Sequence, residues 1–255
     1  MAVRLTMISE ACVDFWRFEP SKKWAIFALA VTLWLPYAET RQNSFAAEEI
    51  STEIPQQFVA IHSFAPAIKL DVRYFTDDNF VGSRIDGYHA AKIFMQRDAA
   101  VALLAVQEEL TAFGLGLKIF DAYRPQRAVD HFVRWGSDLD DVKMQQQYYP
   151  RVAKENLFRD GYIAERSGHS RGATVDLTIV DLLSGVELDM GTPWDFFDTL
   201  SWPSSNAVSA EQRANRMLLQ QLMTRHGFQP LQEEWWHFTL LNEPFPDTYF
   251  DFPIE

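Results

Sequence analysis

Cysteine is almost absent from this sequence. Among 255 residues there is one, Cys12, close to the N-terminus. A single cysteine cannot close a disulfide within the chain and cannot build a cluster of thiolate metal ligands. Neither kind of cross-link is expected to stabilise this protein.

Positive charge is also scarce. The chain has 23 lysines and arginines against 35 aspartates and glutamates, which gives a formal net charge of -12 and a pI near 4.9. Nucleic acids and anionic membrane surfaces would be repelled by such a field. These two partner classes are therefore excluded as main partners, and a small soluble substrate fits better.

No apolar run reaches the roughly 20 residues that a membrane span needs. The run over 24–38 has 15 residues and is interrupted by Pro36. It follows the basic pair at 22–23 and precedes the small-residue pattern at 44–46, an order typical of a secretory signal peptide. We therefore predict a leader over residues 1–46, a mature domain over 47–255, and a periplasmic or secreted location.

The first part of this leader leaves an alternative open. It is long for a signal peptide and contains three acidic residues, Glu10, Asp14 and Glu19. An uncleaved anchor or a wrongly chosen upstream start codon would fit these residues equally well, and a cytoplasmic location is the alternative to export. Cys12 lies inside the same segment, so a mature chain starting near Ala47 would contain no cysteine.

No internal repeat, low-complexity tract or Gly/Ser-rich linker interrupts residues 47–255. One domain of class α+β, an antiparallel sheet with helices, is the simplest prediction. Hydrophobic periodicity and capping residues predict helices over 99–113, 125–135 and 210–225. Alternating β-branched and apolar residues predict strands over 117–120, 175–180, 186–190 and 235–241.

The segment 167–176 contains the first group of chemically active residues. His169 lies in a polar loop rich in glycine and serine, and Asp176 follows seven residues later in a predicted strand. A carboxylate flanked by Val175 and Leu177 is costly to bury unless it is paired or bound to a metal. The alternative is structural: Asp176 pairs with Arg171, and His169 caps a turn.

The second group is Glu234-Trp235-Trp236-His237. Residues three apart in a regular strand point to opposite faces, so Glu234 and His237 reach one metal only at a bulge or at the start of the strand. The alternative is an exposed glutamate beside core tryptophans. Two imidazoles and one carboxylate can hold a catalytic zinc ion and leave its fourth position to water. The other four histidines have no acidic or histidine partner at ligand spacing.

These two motifs resemble those of the zinc D-alanyl-D-alanine dipeptidases of the VanX type. This family belongs to the D,D-peptidases that share a fold with Hedgehog N-terminal domains. The resemblance runs through residues 55–245 in the same order, and it also covers the segments 71–74, 79–80, 86–88, 121–125 and 190–195.

The resemblance implies a role for each matched residue and one Zn²⁺ ion per chain. The implied roles are zinc ligation by His169, Asp176 and His237; general base and acid by Glu234; oxyanion stabilisation by Arg124; recognition of the substrate ammonium by Asp195; and lining of the dipeptide site by Ser167 and Tyr74. The implied reaction is hydrolysis of a small-molecule dipeptide, D-alanyl-D-alanine. From the residues alone, Arg124 is equally well explained as an ion-pair partner of Asp121.

Two other functions stay open at this stage. One is a peptidoglycan D,D-carboxypeptidase, and the other is a zinc domain that binds peptides without turning them over. Carboxypeptidases of the wider family tend to have an arginine two residues after the last ligand histidine, whereas Phe238 and Thr239 follow His237 here. This difference favours a dipeptidase. A zinc domain without turnover would be expected to lack Glu234 or Arg124, and both residues are present.

Overall fold

A five-stranded mixed sheet forms the framework of the protein, in a computed structural model that describes residues 53–255. The described residues contain seven strands, five in this sheet and two in a separate pair. They are β1 (Phe58–Ala60), β2 (Lys69–Leu70), β3 (Phe94–Gln96), β4 (Leu115–Asp121), β5 (Thr174–Asp181), β6 (Phe228–Pro230) and β7 (His237–Leu240). The order across the main sheet is β2-β4-β5-β7-β6, and β1 and β3 form a separate antiparallel pair.

Five α-helices within residues 53–255 accompany the sheet. They are α1 (Ile61–Phe64), α2 (Arg97–Thr111), α3 (Gln126–Ser137), α4 (Gln145–Tyr148) and α5 (Ala210–Arg225). Helix α2 packs on β4, α5 packs on β6, and the two helices contact each other, so both cover the same side of the sheet. Within residues 53–255, no helix combines the length and the apolar character needed to cross a bilayer.

The predicted α+β class is confirmed, with one qualification about strand direction. All neighbouring strands of the main sheet are antiparallel except β2 and β4, which are parallel. Helix α5 has the predicted limits and begins with a capping box, in which Ser209 and Gln212 each accept a hydrogen bond from the backbone N–H of the other. The predicted leader lies outside the described residues.

Three predictions about local structure are wrong in detail. Helix α2 begins at Arg97, two residues before its predicted start at residue 99, because the chain passes directly from β3 into the helix. Pro125 precedes α3 as its N-cap. Residues 186–190 form no strand: Glu187 makes one bridge with Val180. The end of the segment is instead held by α5, whose side chains bond the carbonyls of Asp189 and Met190.

Gly172 makes the turn between a short 3₁₀ helix, Gly168–Arg171, and strand β5. Its φ is +84°, and a Cβ at this position would lie 2.3 Å from Cε1 of Phe58. Gly185 also has a positive φ, +73°, but no heavy atom lies within 4 Å of the place where its Cβ would be. A side chain would therefore cause backbone strain at both positions but steric overlap only at Gly172.

We predict that Gly172→Ala lowers the free energy of unfolding by about 3 kcal/mol or more, because strain and overpacking add. Gly185→Ala, the matched control, should cost about 1–2 kcal/mol from strain alone. Denaturant unfolding of both variants measures the difference. Equal losses would contradict the predicted clash.

Candidate active site

The register of three adjacent strands brings polar residues side by side at one end of the sheet. Asp121 at the end of β4 lies opposite Asp176 of β5, and Asp176 lies opposite His237, the first residue of β7. Side chains of directly opposed residues in antiparallel strands are neighbours. Trp235 and Trp236 precede β7, so Glu234 lies outside the strand that begins at His237. The alternation of side chains between the two faces of a strand therefore does not force Glu234 and His237 apart.

The fourth member of the group, His169, comes from the 3₁₀ helix before β5. The hydroxyl of Ser167 accepts a hydrogen bond from the His169 backbone N–H at 3.3 Å and caps this helix. Nδ1 of His169 lies 2.7 Å from the carbonyl oxygen of Ala122. This contact places the ring proton on Nδ1, because a carbonyl can only accept, and leaves the Nε2 lone pair free to bind a cation.

Three ligand atoms form a nearly equilateral triangle. Nε2 of His169 lies 3.2 Å from Nδ1 of His237 and 3.2 Å from Oδ1 of Asp176. The third side, from Nδ1 of His237 to Oδ1 of Asp176, is 3.1 Å. Zinc binds nitrogen and oxygen at about 2.0–2.1 Å in a tetrahedral arrangement, which separates its ligand atoms by about 3.3 Å. The triangle therefore has the size of one face of a zinc coordination tetrahedron.

The hydrogen bonding of Asp176 fits a site that binds a cation. Its Oδ1 atom is buried and accepts no hydrogen bond from any residue among 53–255. The nearest nitrogen on one side, Nε2 of His169, has no proton to give when Nδ1 donates to Ala122. Lone pairs that face each other at this distance in a buried site are unfavourable unless a positive ion lies between them. The residues present thus fit a zinc ion.

Burial and neighbouring charges set the ionisation of these ligands. Burial lowers the pKa of His169, which favours the neutral imidazole that a metal requires. Burial alone would raise the pKa of Asp176, but positive charge at His169 and His237, carried by protonated imidazoles when no ion is bound, outweighs it and holds that pKa below its usual range. Asp176 is therefore a carboxylate, the form that binds a cation.

Asp121 and Tyr88 support the site, and the sequence analysis gave neither a role in it. Asp121 is buried and accepts hydrogen bonds from Tyr88 Oη at 2.6 Å and from Arg124 Nε at 2.9 Å. Its Oδ2 atom also lies 3.4 Å from Nδ1 of His169. A carboxylate behind a ligand histidine orients the ring and increases its basicity. Like Asp176, Asp121 is a carboxylate in a strand of apolar residues, so its burial is costly unless it is paired, and the sequence contains this signal.

Arg124 is held against the ligand group. Besides its bond to Asp121, its Nη2 atom lies 3.7 Å from Oδ2 of Asp176. Its guanidinium lies over the rings of Tyr74 and Phe132, at 5.1 and 5.2 Å from their centroids. The ion pair with Asp121 is therefore present and positions the charge of Arg124 at the site, while the role of Arg124 in stabilising an oxyanion stays a prediction. Arg171, the alternative partner of Asp176, pairs instead with Glu243.

Glu234 borders the ligand triangle. Its Oε2 atom lies 3.4 Å from Nδ1 of His237. Burial, together with the negative charge of Asp176, raises the pKa of Glu234 to about 8. A carboxyl group whose pKa lies near neutrality can both take up and return a proton, which is the property of a general base and acid.

Asp195 is the most unusual residue of the site. It is buried, yet it has a left-handed backbone conformation with a φ of 59°, the only non-glycine residue among 53–255 with a positive φ. Its Oδ2 atom accepts a hydrogen bond from Tyr74 Oη at 2.7 Å. Burial and the charge of Asp176 raise its pKa well above the usual range. Backbone strain combined with a destabilised charge is typical of functional sites.

One cleft of about 250 Å³ connects these groups. All eight residues to which the sequence analysis assigned roles line it: Tyr74, Arg124, Ser167, His169, Asp176, Asp195, Glu234 and His237. The cleft is smaller than the roughly 300–1,000 Å³ of sites for drug-sized ligands. The individual roles of these eight residues stay predictions, but the fold brings all eight to one small cavity.

The sequence as a whole matches a known family. The family model for D-Ala-D-Ala dipeptidases, peptidase family M15, matches residues 55–255. The chain belongs to this family. The M15 match includes every residue that lines the cleft, and it confirms the family resemblance found in the motifs.

Curated M15 relatives are similar over almost their full length. A protein of Streptomyces coelicolor named D-alanyl-D-alanine dipeptidase is 43% identical over 77% of this chain and 98% of its own. Proteins with the same name from Enterococcus faecalis and Enterococcus faecium are 38% and 36% identical, over 77% and 78% of this chain and 98% of theirs.

We predict that His237→Ala lowers the affinity for Zn²⁺ by at least about 100-fold, because it removes a ligand and not merely a residue behind one. His237 is partly exposed, so the variant should fold. His62→Ala, at an exposed histidine in α1, is the matched control and should bind zinc like the wild type. Competition with a zinc chelator measures both, and unchanged affinity in His237→Ala would contradict the assignment.

Proposed function

We propose that this chain hydrolyses D-alanyl-D-alanine to two D-alanines at a zinc centre formed by His169, Asp176 and His237. The observation that carries the proposal is the triangle of ligand atoms with sides of 3.1 and 3.2 Å beside the carboxyl group of Glu234. The substrate class is supported by the M15 family and by its relatives named D-alanyl-D-alanine dipeptidase.

His169, Asp176 and His237 would hold the zinc ion. M15 peptidases are zinc-dependent, and two imidazoles with one carboxylate are a donor set that catalytic zinc accepts. When bound, zinc makes a water molecule more acidic and polarises the peptide carbonyl. Three protein ligands, with one ion per chain, leave room for the reactants.

Glu234 moves the proton. Its carboxylate accepts the proton of the attacking water and then delivers it to the amine of the leaving D-alanine, a role typically worth about 10²- to 10⁴-fold in rate. The carboxyl group lies 3.4 Å from a ligand nitrogen and is largely buried, so it borders the reacting atoms. Its raised pKa suits both directions of transfer.

Arg124 stabilises the oxyanion that forms on the carbonyl. Its guanidinium is fixed by Asp121 and lies over the ring of Tyr74 before any substrate binds. Positive charge that is already in place costs no reorganisation when negative charge develops, and exclusion of water strengthens the interaction. Arginine stays protonated throughout.

Asp195 selects a free amino terminus. It is a buried carboxyl group that forms no ion pair with any residue among 53–255, and its only side-chain partner there is the Tyr74 hydroxyl. An ammonium group would supply the missing counter-charge. A D,D-carboxypeptidase acts on longer peptides, in which this nitrogen is acylated and uncharged. The buried Asp195 therefore favours the dipeptidase over the carboxypeptidase, and the small cleft agrees with it.

A zinc domain without turnover is disfavoured for a different reason. Such a domain has no need of a base or an oxyanion group, yet Glu234 and Arg124 both line the cleft with the ligand residues. Ser167 also lines it, next to His169, where it would contact the dipeptide. The acidic net charge continues to exclude nucleic acid as the main partner.

We predict that Glu234→Gln keeps zinc and loses at least about 10²-fold in kcat, because the amide cannot accept a proton. Zinc content and hydrolysis of D-alanyl-D-alanine are measured on the same preparation. A variant that is both zinc-loaded and fully active would refute the role of Glu234 as base.

We also predict that the wild type prefers D-alanyl-D-alanine to N-acetyl-D-alanyl-D-alanine by at least about 10-fold in kcat/KM. Acetylation removes the charge that Asp195 is proposed to bind and leaves a buried carboxyl group without its partner. Assay of released D-alanine compares the two substrates. Faster cleavage of the acetylated compound would instead indicate a carboxypeptidase.

A further inference from the structure

Arg166 is the second arginine in the wall of the active-site cleft. It differs from Arg124 in being exposed, and its guanidinium forms no ion pair or side-chain hydrogen bond with any residue among 53–255. Arg124, in contrast, is bonded to Asp121 and lies close to Asp176. Within the described part of the chain, Arg166 is therefore the cleft arginine whose N–H donors are not engaged.

Tyr249 supports this guanidinium. Cζ of Arg166 lies 5.0 Å from the centroid of the Tyr249 ring, a distance typical of a cation–π contact. Such a contact orients the guanidinium plane but uses none of its five N–H groups, so the donors stay available for a ligand. The neighbouring Phe250 donates its backbone N–H to the carbonyl of Ser170 at 2.8 Å, which ties the platform to the helix that bears His169.

The charges of the cleft leave one end of a dipeptide without a partner. A free dipeptide has an ammonium group and a carboxylate group. Asp195 is buried and is proposed to take the ammonium group, whereas Arg124 is occupied by Asp121 and by the oxyanion. Because Asp195 is buried and Arg166 is exposed, the amino end would enter the cleft first and the carboxylate would lie towards its rim.

We propose that Arg166, supported by Tyr249, binds the terminal carboxylate of the substrate. This inference rests on the proposed dipeptidase function and adds the residue that recognises the second end of the dipeptide. Arginine suits the task because its planar fork can bond both carboxylate oxygens. Together, Asp195 and Arg166 make the site selective for a zwitterion with one peptide bond between its charges.

The contact predicts a particular kinetic signature. The carboxylate keeps its charge from the bound substrate to the transition state, so Arg166 binds both states equally. Loss of such uniform binding raises KM and leaves kcat nearly unchanged. A residue that merely stabilised the fold would not distinguish substrates by the charge of their carboxyl terminus.

The test combines Arg166→Met with two substrates, D-alanyl-D-alanine and D-alanyl-D-alaninamide, whose terminus is uncharged. For the wild type, kcat/KM should be about 10- to 100-fold higher on the dipeptide than on the amide, a range typical of a hydrogen bond to a charged group. In Arg166→Met this preference should vanish through a rise in KM for the dipeptide, with the amide affected less than about 2-fold. Arg166→Lys should restore part of it.

Two further variants sharpen the result. Tyr249→Ala keeps the charge and removes the platform, so it should reduce the preference in the same direction but less. Arg171→Met is the matched control: its guanidinium lies 5.8 Å from the same ring but is bonded to Glu243, so the preference should be unchanged. The proposal would be overturned if Arg166→Met lost kcat/KM equally on the dipeptide and the amide, or if it kept the wild-type preference for the dipeptide.

The same experiment separates this proposal from the proposed function. If the wild type hydrolysed neither compound, the dipeptidase function would fail. Calorimetric titration of the zinc-loaded wild type and Arg166→Met with the two compounds would then still decide the carboxylate contact. A preference for the dipeptide that depends on Arg166 would support it, and equal binding by both proteins would refute it.

Discussion

The structure depends on one buried carboxylate, that of Asp176, between two imidazoles. Strand β5 runs through the middle of the main sheet, and its residues up to Val180 are buried. A charge there is tolerated only with strong compensation. Within residues 53–255 the protein supplies Trp194 and Arg124 to one carboxylate oxygen and no hydrogen-bond donor to the other. The site is thus built around a cation.

The same constraint explains why the surrounding elements are arranged as they are. His169 must approach Asp176 from outside the sheet, so its 3₁₀ helix is fixed at several points. The Ala122 carbonyl holds the ring, Gly172 turns the chain into β5, and the segment near the C-terminus bonds the backbone through Phe250. Residues from the middle and from the C-terminal part of the described chain therefore hold one ligand in place, and the geometry of the site depends on contacts between distant segments.

The three long helices of this protein and the strands β4, β5 and β7 could be predicted from its sequence, and so could the members of its site, whereas the short strands β1, β2, β3 and β6 could not. The capping residues Ser209 and Gln212 and the periodicity of α5 specify that helix without tertiary help. Residues 186–190 have equally good strand character, but their backbone is held by α5, a contact that local pattern does not contain. Strand direction escaped prediction similarly, because the parallel pairing of β2 with β4 depends on a long connection.

The residues that hold and surround the metal ligands were harder to predict than the ligands themselves. His169, Asp176 and His237 were found because motifs place them, whereas the role of Asp121 depends on the register between β4 and β5. The left-handed conformation of Asp195 and the contact of Arg166 with Tyr249 are likewise visible only in three dimensions. The leader over 1–46 and the export of the protein stay predictions.

The zinc site is tested most directly by diffraction from zinc-loaded crystals at the zinc absorption edge. We expect one anomalous peak per chain, at about 2.0–2.2 Å from Nε2 of His169, Nδ1 of His237 and Oδ1 of Asp176. A zinc peak elsewhere, with no ion among these three atoms, would contradict it.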